Sequence, residues 1–143
     1  MIERILADFG PVAGRSDLIA VRVDPTWAAD GGWPEGRPPE DPVEPGDVVA
    51  TLLGGRHEFV ARLDEGVEYA CWVVADQLQD GVMDDLARPW PELEDSEGRI
   101  VGVLEPQFEP LMLAHWALRG APFCAVGHLH DAVAAAGWRF VAS

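Results

Sequence analysis

The clearest hydrophobic pattern in the chain lies in residues 64–88, where apolar side chains recur every three or four positions. This spacing predicts one long amphipathic helix whose apolar stripe must pack against another element. The stripe consists of Val67, Cys71, Val74, Leu78, Val82 and Leu86. A different face carries carboxylates at every fourth position: Asp76, Asp80 and Asp84. The same helix therefore carries the strongest core signal and the strongest surface signal of the sequence.

The remaining pattern predicts shorter elements. An amphipathic helix over residues 2–9 is expected to end at Gly10-Pro11, and a second short helix is expected over residues 127–136. Alternating or β-branched runs predict strands at 17–23, 47–53, 57–63, 99–105, 111–118, 123–126 and 138–142, with a hairpin turn at Gly54-Gly55 and an acidic turn at 92–98. We predict a single α+β domain over residues 1–143, in which an antiparallel sheet of about five strands has the long helix packed across one face and short helices near both termini.

Residues 24–46 predict a long acidic loop, because six Pro and four Gly leave no room for a regular element. Loops of this length inside a domain are uncommon and are usually functional or disordered. Trp27 and Trp33 argue against plain disorder. Their indoles either pack into the core or stand exposed as contact residues.

The net charge of −15 is the strongest fact of the composition, and residues 64–109 carry thirteen of the 25 acids. All ten basic residues are Arg. A nucleic-acid partner is disfavoured, because such proteins neutralise phosphates with clustered cations. A basic protein partner is favoured by electrostatic attraction, although the acids also serve solubility. No apolar run is long enough to span a bilayer and no signal peptide is recognised, so a cytoplasmic location is expected.

The carboxylate face of the long helix is the first candidate site. Like charges four residues apart repel each other, and a helix that carries them can gain from a basic partner. The alternative is an ordinary solvated face. Trp72 falls at the edge of the apolar stripe near Glu68 and Asp76, where an exposed indole would suit an interface. The predicted partner-binding residues are Asp76, Asp80, Asp84, Asp85, Trp72 and Glu68.

A second candidate site lies near the C-terminus. Cys124, His128 and His130, with His115 nearby in the sequence, offer zinc ligands, although the spacing matches no standard finger. A Cys–His nucleophile pair and ordinary packing are the alternatives. Both Cys71 and Cys124 are expected to be unpaired thiols. Phosphate-loop, dinucleotide and Ser-His-Asp signatures are absent.

Residues 66–129 resemble a family of small, uncharacterised actinobacterial proteins in which a helix rich in Ala, Gln and Asp runs into a Trp-Pro pair. The residues that carry the resemblance are Ala75 to Asp80, Trp90-Pro91, Trp116 and Gly127-His128-Leu129. Where members of that family continue with Cys and His, this chain has Glu92-Leu93. The resemblance implies a compact bacterial α+β domain and suggests no reaction.

Together these features predict a non-enzymatic acidic binding protein of the immunity or inhibitor type that docks a basic protein. The alternative is a small-molecule or metal-binding protein, with or without enzymatic activity, that uses the Cys124, His128, His130 and His115 region. A third hypothesis is a subunit that homodimerises through exposed Trp side chains. The first hypothesis needs no cofactor. Zinc is the candidate cofactor under the second hypothesis.

Overall fold

The computed structural model describes residues 1–13, 19–23, 48–52, 57–61 and 65–142. Three helices lie in these ranges: α1 (Ile2–Ala13), α2 (Val67–Leu86) and α3 (Leu129–Ala135). The strands are β1 (Ile19–Val23), β2 (Val48–Leu52), β3 (His57–Ala61), β4 (Glu92–Glu94), β5 (Ile100–Gln107), β6 (His115–Leu118), β7 (Ala121–Ala125) and β8 (Arg139–Phe140). The predicted α+β class is therefore confirmed. The loop at 24–46, with Trp27 and Trp33, and the turn at Gly54-Gly55 lie outside the described residues.

The strands form two antiparallel sheets. One has three strands in the order β1-β2-β3, and the other has five in the order β7-β6-β5-β4-β8. The pairing of β2 with β3 confirms the predicted hairpin. The two edge strands of the larger sheet both contact α3, and Phe123 on β7 stacks on Trp138 beside β8 with ring centroids 5.5 Å apart. The larger sheet therefore curves until its edges approach each other around α3.

The long helix α2 contacts strands of both sheets. Cys71, Val74, Leu78 and Val82 of its predicted stripe are buried, whereas Val67 at its first turn is 53% exposed. Gln79 is buried on the same side, and its side-chain amide donates hydrogen bonds to the carbonyl oxygens of Trp90 (2.9 Å) and Leu104 (2.7 Å). A buried amide that satisfies two carbonyl oxygens joins α2 to β5 without leaving a polar group unpaired.

Helix α1 is longer than the sequence predicts. Ile5 and Phe9 are fully buried as expected, but Leu6 is 41% exposed and the helix continues through Gly10-Pro11 to Ala13. Pro11 removes one backbone hydrogen bond, the one to the carbonyl of Ala7. Because Ala7 lies on the exposed side of α1, that carbonyl does not depend on a bond inside the protein.

Two strand predictions also need correction. Residues 92–94 form β4 and not part of a turn, because fully buried Leu93 anchors a strand between β5 and β8. Only the following residues turn, and Asp95 accepts hydrogen bonds there from the backbone N–H groups of Glu97 and Arg99. In the predicted strand at 111–118, only His115–Leu118 pairs with its neighbours, and the apolar residues before it form an exposed turn.

Asp8 is the buried polar centre of the fold. Its side chain is inaccessible to solvent, and its carboxylate accepts hydrogen bonds from the Trp116 indole (2.8 Å) and from the backbone N–H groups of Gly127 (2.6 Å) and Leu129 (3.0 Å). These bonds join α1 to β6 and to the first residue of α3. Gly127 lies at φ +104°, and a Cβ there would come within 2.9 Å of the Arg4 side chain, so the approach of α1 requires glycine.

Replacing Asp8 with Ala tests this centre. The change leaves one indole N–H and two backbone N–H groups without their acceptor, and we expect a loss of roughly 3 kcal/mol or more in the free energy of unfolding. Urea denaturation measures it. The control Asp131→Ala removes an exposed carboxylate from α3 and should cost less than about 1 kcal/mol. Equal losses in the two variants would contradict the role of Asp8.

Candidate functional site

An open groove of about 490 Å³ lies between the first turns of α2 and the end of β5. It is lined by Tyr69, Trp72, Pro106, Gln107, Phe108 and Glu109. Grooves of this size that combine aromatic walls with a few polar groups are the usual form of a binding site. We call it the aromatic groove.

Three half-buried aromatic side chains form the walls of this groove. The Tyr69 ring is perpendicular to Phe108 (90°, centroids 5.5 Å apart) and edge-on to Trp72 (62°, 5.4 Å). Trp72 and Phe108 stack at 28° with centroids 6.1 Å apart. The Trp72 indole N–H donates to the carbonyl oxygen of Pro106 at 3.2 Å, which fixes the indole against β5. Trp72, which the sequence places at the edge of the apolar stripe, is thus a half-buried wall of the groove, and its role in partner binding stays a prediction.

Carboxylates border the aromatic groove on the α2 side. Asp76 and Asp80 follow Trp72 at four-residue spacing, so they continue along the same face of the helix. Both are exposed, as is Glu105 on β5. Desolvation by partial burial raises the pKa of Asp76 above its ordinary value, and the charges of Asp80 and Glu105 raise it further. The ionised form of Asp76 is therefore destabilised where it stands.

Among the side chains that the structure describes, no cation lies within ion-pair distance of Asp76, Asp80 or Asp84. Five arginines whose side chains are described are engaged elsewhere: Arg4 with Glu68, Arg88 with the Val141 carbonyl, Arg99 with Asp95 and Glu97, Arg119 with the Val101 carbonyl, and Arg139 with Glu94. Asp85, the other predicted carboxylate of α2, is also exposed. Asp76 and Asp80 on α2 thus present their charge to solvent, together with the neighbouring Glu105 on β5. We call these three residues the acidic face of α2.

Glu68, which the sequence groups with the partner-binding residues, makes its contacts within the fold. Both of its oxygens bind the guanidinium of Arg4, and one also accepts a hydrogen bond from the Ala114 backbone N–H at 3.3 Å. Arg4 in turn donates to the carbonyl oxygen of Val126 at 2.8 Å. The hydrogen bond from Arg4 lowers the pKa of Glu68, with the charge of Arg4 acting in the same direction. This network ties α1 to the start of α2, next to the aromatic groove.

An exposed apolar turn adjoins the groove. Leu111, Met112 and Leu113 are 49%, 57% and 51% exposed. The turn is closed by a hydrogen bond from the Leu113 N–H to the carbonyl oxygen of Phe108 at 3.3 Å. Met112 has φ +56°, a conformation that non-glycine residues seldom adopt. Three consecutive exposed apolar side chains beside a groove are typical of an interaction surface.

The predicted Cys and His residues occupy different settings. Cys124 on β7 pairs with Trp116 on β6, and His115 on β6 is buried with its Nδ1–H donating to the Leu113 carbonyl at 2.7 Å. His130 donates through Nε2 to the carbonyl oxygen of Asp8 at 2.9 Å, and His128 is exposed before α3. Among the described residues, no three His, Cys, Asp or Glu side chains are close enough to hold a metal ion. The zinc hypothesis stays a prediction.

Both cysteines are unpaired, as predicted. Burial raises the pKa of the Cys71 thiol to about 11 and that of Cys124 to about 12. At neutral pH both groups are protonated, and the thiolate is the form that acts as a nucleophile or binds a metal. The environment of Cys124 is therefore unlike that of an activated cysteine.

Comparison with known proteins adds no relative: no protein family, no curated protein and no solved structure matches the chain. The resemblance of residues 66–129 to a bacterial family thus stays a prediction. None of the helices in the described ranges is both long and apolar enough to cross a membrane.

The sequence pattern predicts the side of the groove that α2 forms, and it does not predict the side that follows β5. Trp72 and the carboxylates of α2 stand out because helical periodicity relates them. Phe108 and Glu109 lie in a turn between two prolines, where no periodicity reports which side chains approach α2. The only available signal was an aromatic residue and an acid in a turn bracketed by Pro106 and Pro110.

The network of Glu68 predicts a specific pH dependence. Because its pKa is lower in the folded protein, Glu68 stabilises the fold above its ordinary titration range, and this contribution disappears as the pH falls through the lowered value. We expect Glu68→Gln to cost about 1 kcal/mol at about pH 7 and less at about pH 3, below the ordinary titration range of Glu. Urea midpoints at both pH values measure the difference.

Glu3→Gln, at an exposed position of α1, is the control for Glu68→Gln and should show a small effect at either pH. If the cost of Glu68→Gln does not change between the two pH values, its contacts do not depend on the ionised carboxylate.

Proposed function

We propose that the protein is a non-enzymatic binding protein that docks a basic protein segment against the acidic face of α2 and the adjoining aromatic groove. The observation that carries the proposal is the position of three exposed carboxylates beside an open groove, where Asp80 and Glu105 both repel the partly desolvated carboxylate of Asp76. A cationic ligand offsets this repulsion and stabilises the ionised carboxylate of Asp76, so its binding is favoured.

The charge of the whole chain supports the same partner. A net charge of −15 attracts a basic protein from a distance and accelerates the encounter. Attraction of this kind is not specific by itself. Specificity requires a shaped surface at which the charges and the contacts coincide, and the aromatic groove supplies that shape beside Asp76.

The apolar turn at Leu111, Met112 and Leu113 supports an interface with another protein. Protein interfaces combine an apolar or aromatic centre with a polar rim, and their strongest contacts are often aromatic. The aromatic groove and the exposed turn lie next to each other, since Leu113 is hydrogen-bonded to Phe108. A protein of the immunity or inhibitor type uses a surface of this composition to mask a basic site on its target.

Binding of a labelled oligo-lysine peptide tests where basic polypeptides dock. We expect the double variant Asp76→Asn/Asp80→Asn to bind about fivefold more weakly than the wild type, since two exposed charge contacts contribute about 0.5 kcal/mol each. Fluorescence anisotropy measures the affinity. The difference should shrink as salt approaches about 0.1 M and beyond, where the screening length is about 10 Å.

The matched control is Glu97→Gln/Asp131→Asn, which removes the same charge from exposed positions outside the acidic face. It should change the affinity less than twofold, to about the extent expected from net charge alone. Because ionised Asp76 is destabilised in the fold, the Asp76→Asn/Asp80→Asn protein should be at least as stable as the wild type. Equal weakening in both double variants would refute docking at α2.

A further inference from the structure

The aromatic groove has walls that attract cations. The face of an aromatic ring carries the negative part of its quadrupole, so a cation over the face is stabilised, most strongly over Trp. Tyr69, Trp72 and Phe108 are each half-buried and each line the groove, so the groove offers more than one ring to a side chain that enters it. Among the described residues, no basic side chain lines the groove.

The polar groups of the groove favour a guanidinium over an ammonium. Glu109 is exposed at the rim, and its carboxylate offers two acceptor oxygens. The Gln107 side chain offers a further carbonyl oxygen. A guanidinium is planar, stacks on aromatic rings, is weakly hydrated and matches a carboxylate with two parallel hydrogen bonds, whereas an ammonium is compact and strongly hydrated.

We infer that the aromatic groove receives the guanidinium group of an arginine side chain from the basic partner, stacked against Trp72 and Phe108 and held at the rim by Glu109. This inference rests on the proposed docking function and specifies the residue that the partner must supply. Glu105 directly precedes Pro106 of the groove lining, and Asp76 follows Trp72 by one helical turn, so both carboxylates are placed to bind cations that flank this arginine. The groove then binds one arginine side chain, and the acidic face binds the neighbouring basic side chains of the segment, whether Arg or Lys.

The test compares an oligo-arginine peptide with an oligo-lysine peptide of equal length and charge. The wild type should bind the arginine peptide about fivefold more tightly, as expected for stacking on partly exposed aromatic rings. Phe108→Leu should bring the ratio of the two affinities close to one and leave lysine binding nearly unchanged. Phe123→Leu, which alters a half-buried ring stacked on Trp138 outside the groove, is the control and should keep the ratio.

Tyr69→Leu serves as a second groove variant, and thermal melting shows whether each variant is folded. An arginine preference that survives in folded Phe108→Leu and Tyr69→Leu overturns the inference, as does an equal loss in Phe123→Leu. That result leaves the docking function intact, because lysine binding still reports on Asp76 and Asp80. If Asp76→Asn/Asp80→Asn and its control bind the lysine peptide with equal affinity, docking at α2 is refuted, whatever the groove variants show.

Discussion

The carboxylate of Asp8 is the interaction on which the arrangement of the described elements depends. Three N–H groups from β6 and from the start of α3 converge on it inside the core. Buried donors that lose their acceptor are costly, so this group fixes the distance between α1 and the larger sheet. The rings of Phe9, Trp90 and Trp116 pack around the same point with centroids 5.1 to 5.9 Å apart. Polar and aromatic contacts thus locate α1 together.

From this centre, α1 positions the candidate binding site through a second polar contact. Arg4, one turn before Asp8, holds Glu68 at the start of α2, and Glu68 holds the Ala114 backbone. The aromatic groove begins at the next residue, Tyr69. The site therefore adjoins a polar contact in which the Glu68 carboxylate is ion-paired with Arg4. Among the described side chains, no cation is ion-paired with Asp76 or Asp80 of the acidic face, and the raised pKa of Asp76 shows that its ionised form is destabilised there.

The sequence predicts the elements that have a periodic hydrophobic pattern. It does not predict features that depend on contacts between residues far apart in the chain. The stripe of α2 from Cys71 to Val82 is buried as its spacing requires. The short strand β4 escapes detection, because Glu-Leu-Glu resembles a turn until Leu93 is known to enter the core. The burial of Asp8 is equally hidden, since its partners lie more than one hundred residues away in the chain. The division of the strands into two sheets also depends on contacts that no local pattern reports.

The indole N–H signals of a two-dimensional NMR spectrum show whether a basic ligand occupies the aromatic groove, as we propose. The Trp72 indole N–H lies at the groove, bonded to the Pro106 carbonyl, whereas the Trp116 indole N–H is buried on Asp8. On titration with an oligo-arginine peptide, the Trp72 signal should shift in proportion to occupancy and the Trp116 signal should stay in place. A Trp72 signal that does not move while other signals shift would place the ligand elsewhere and contradict the account.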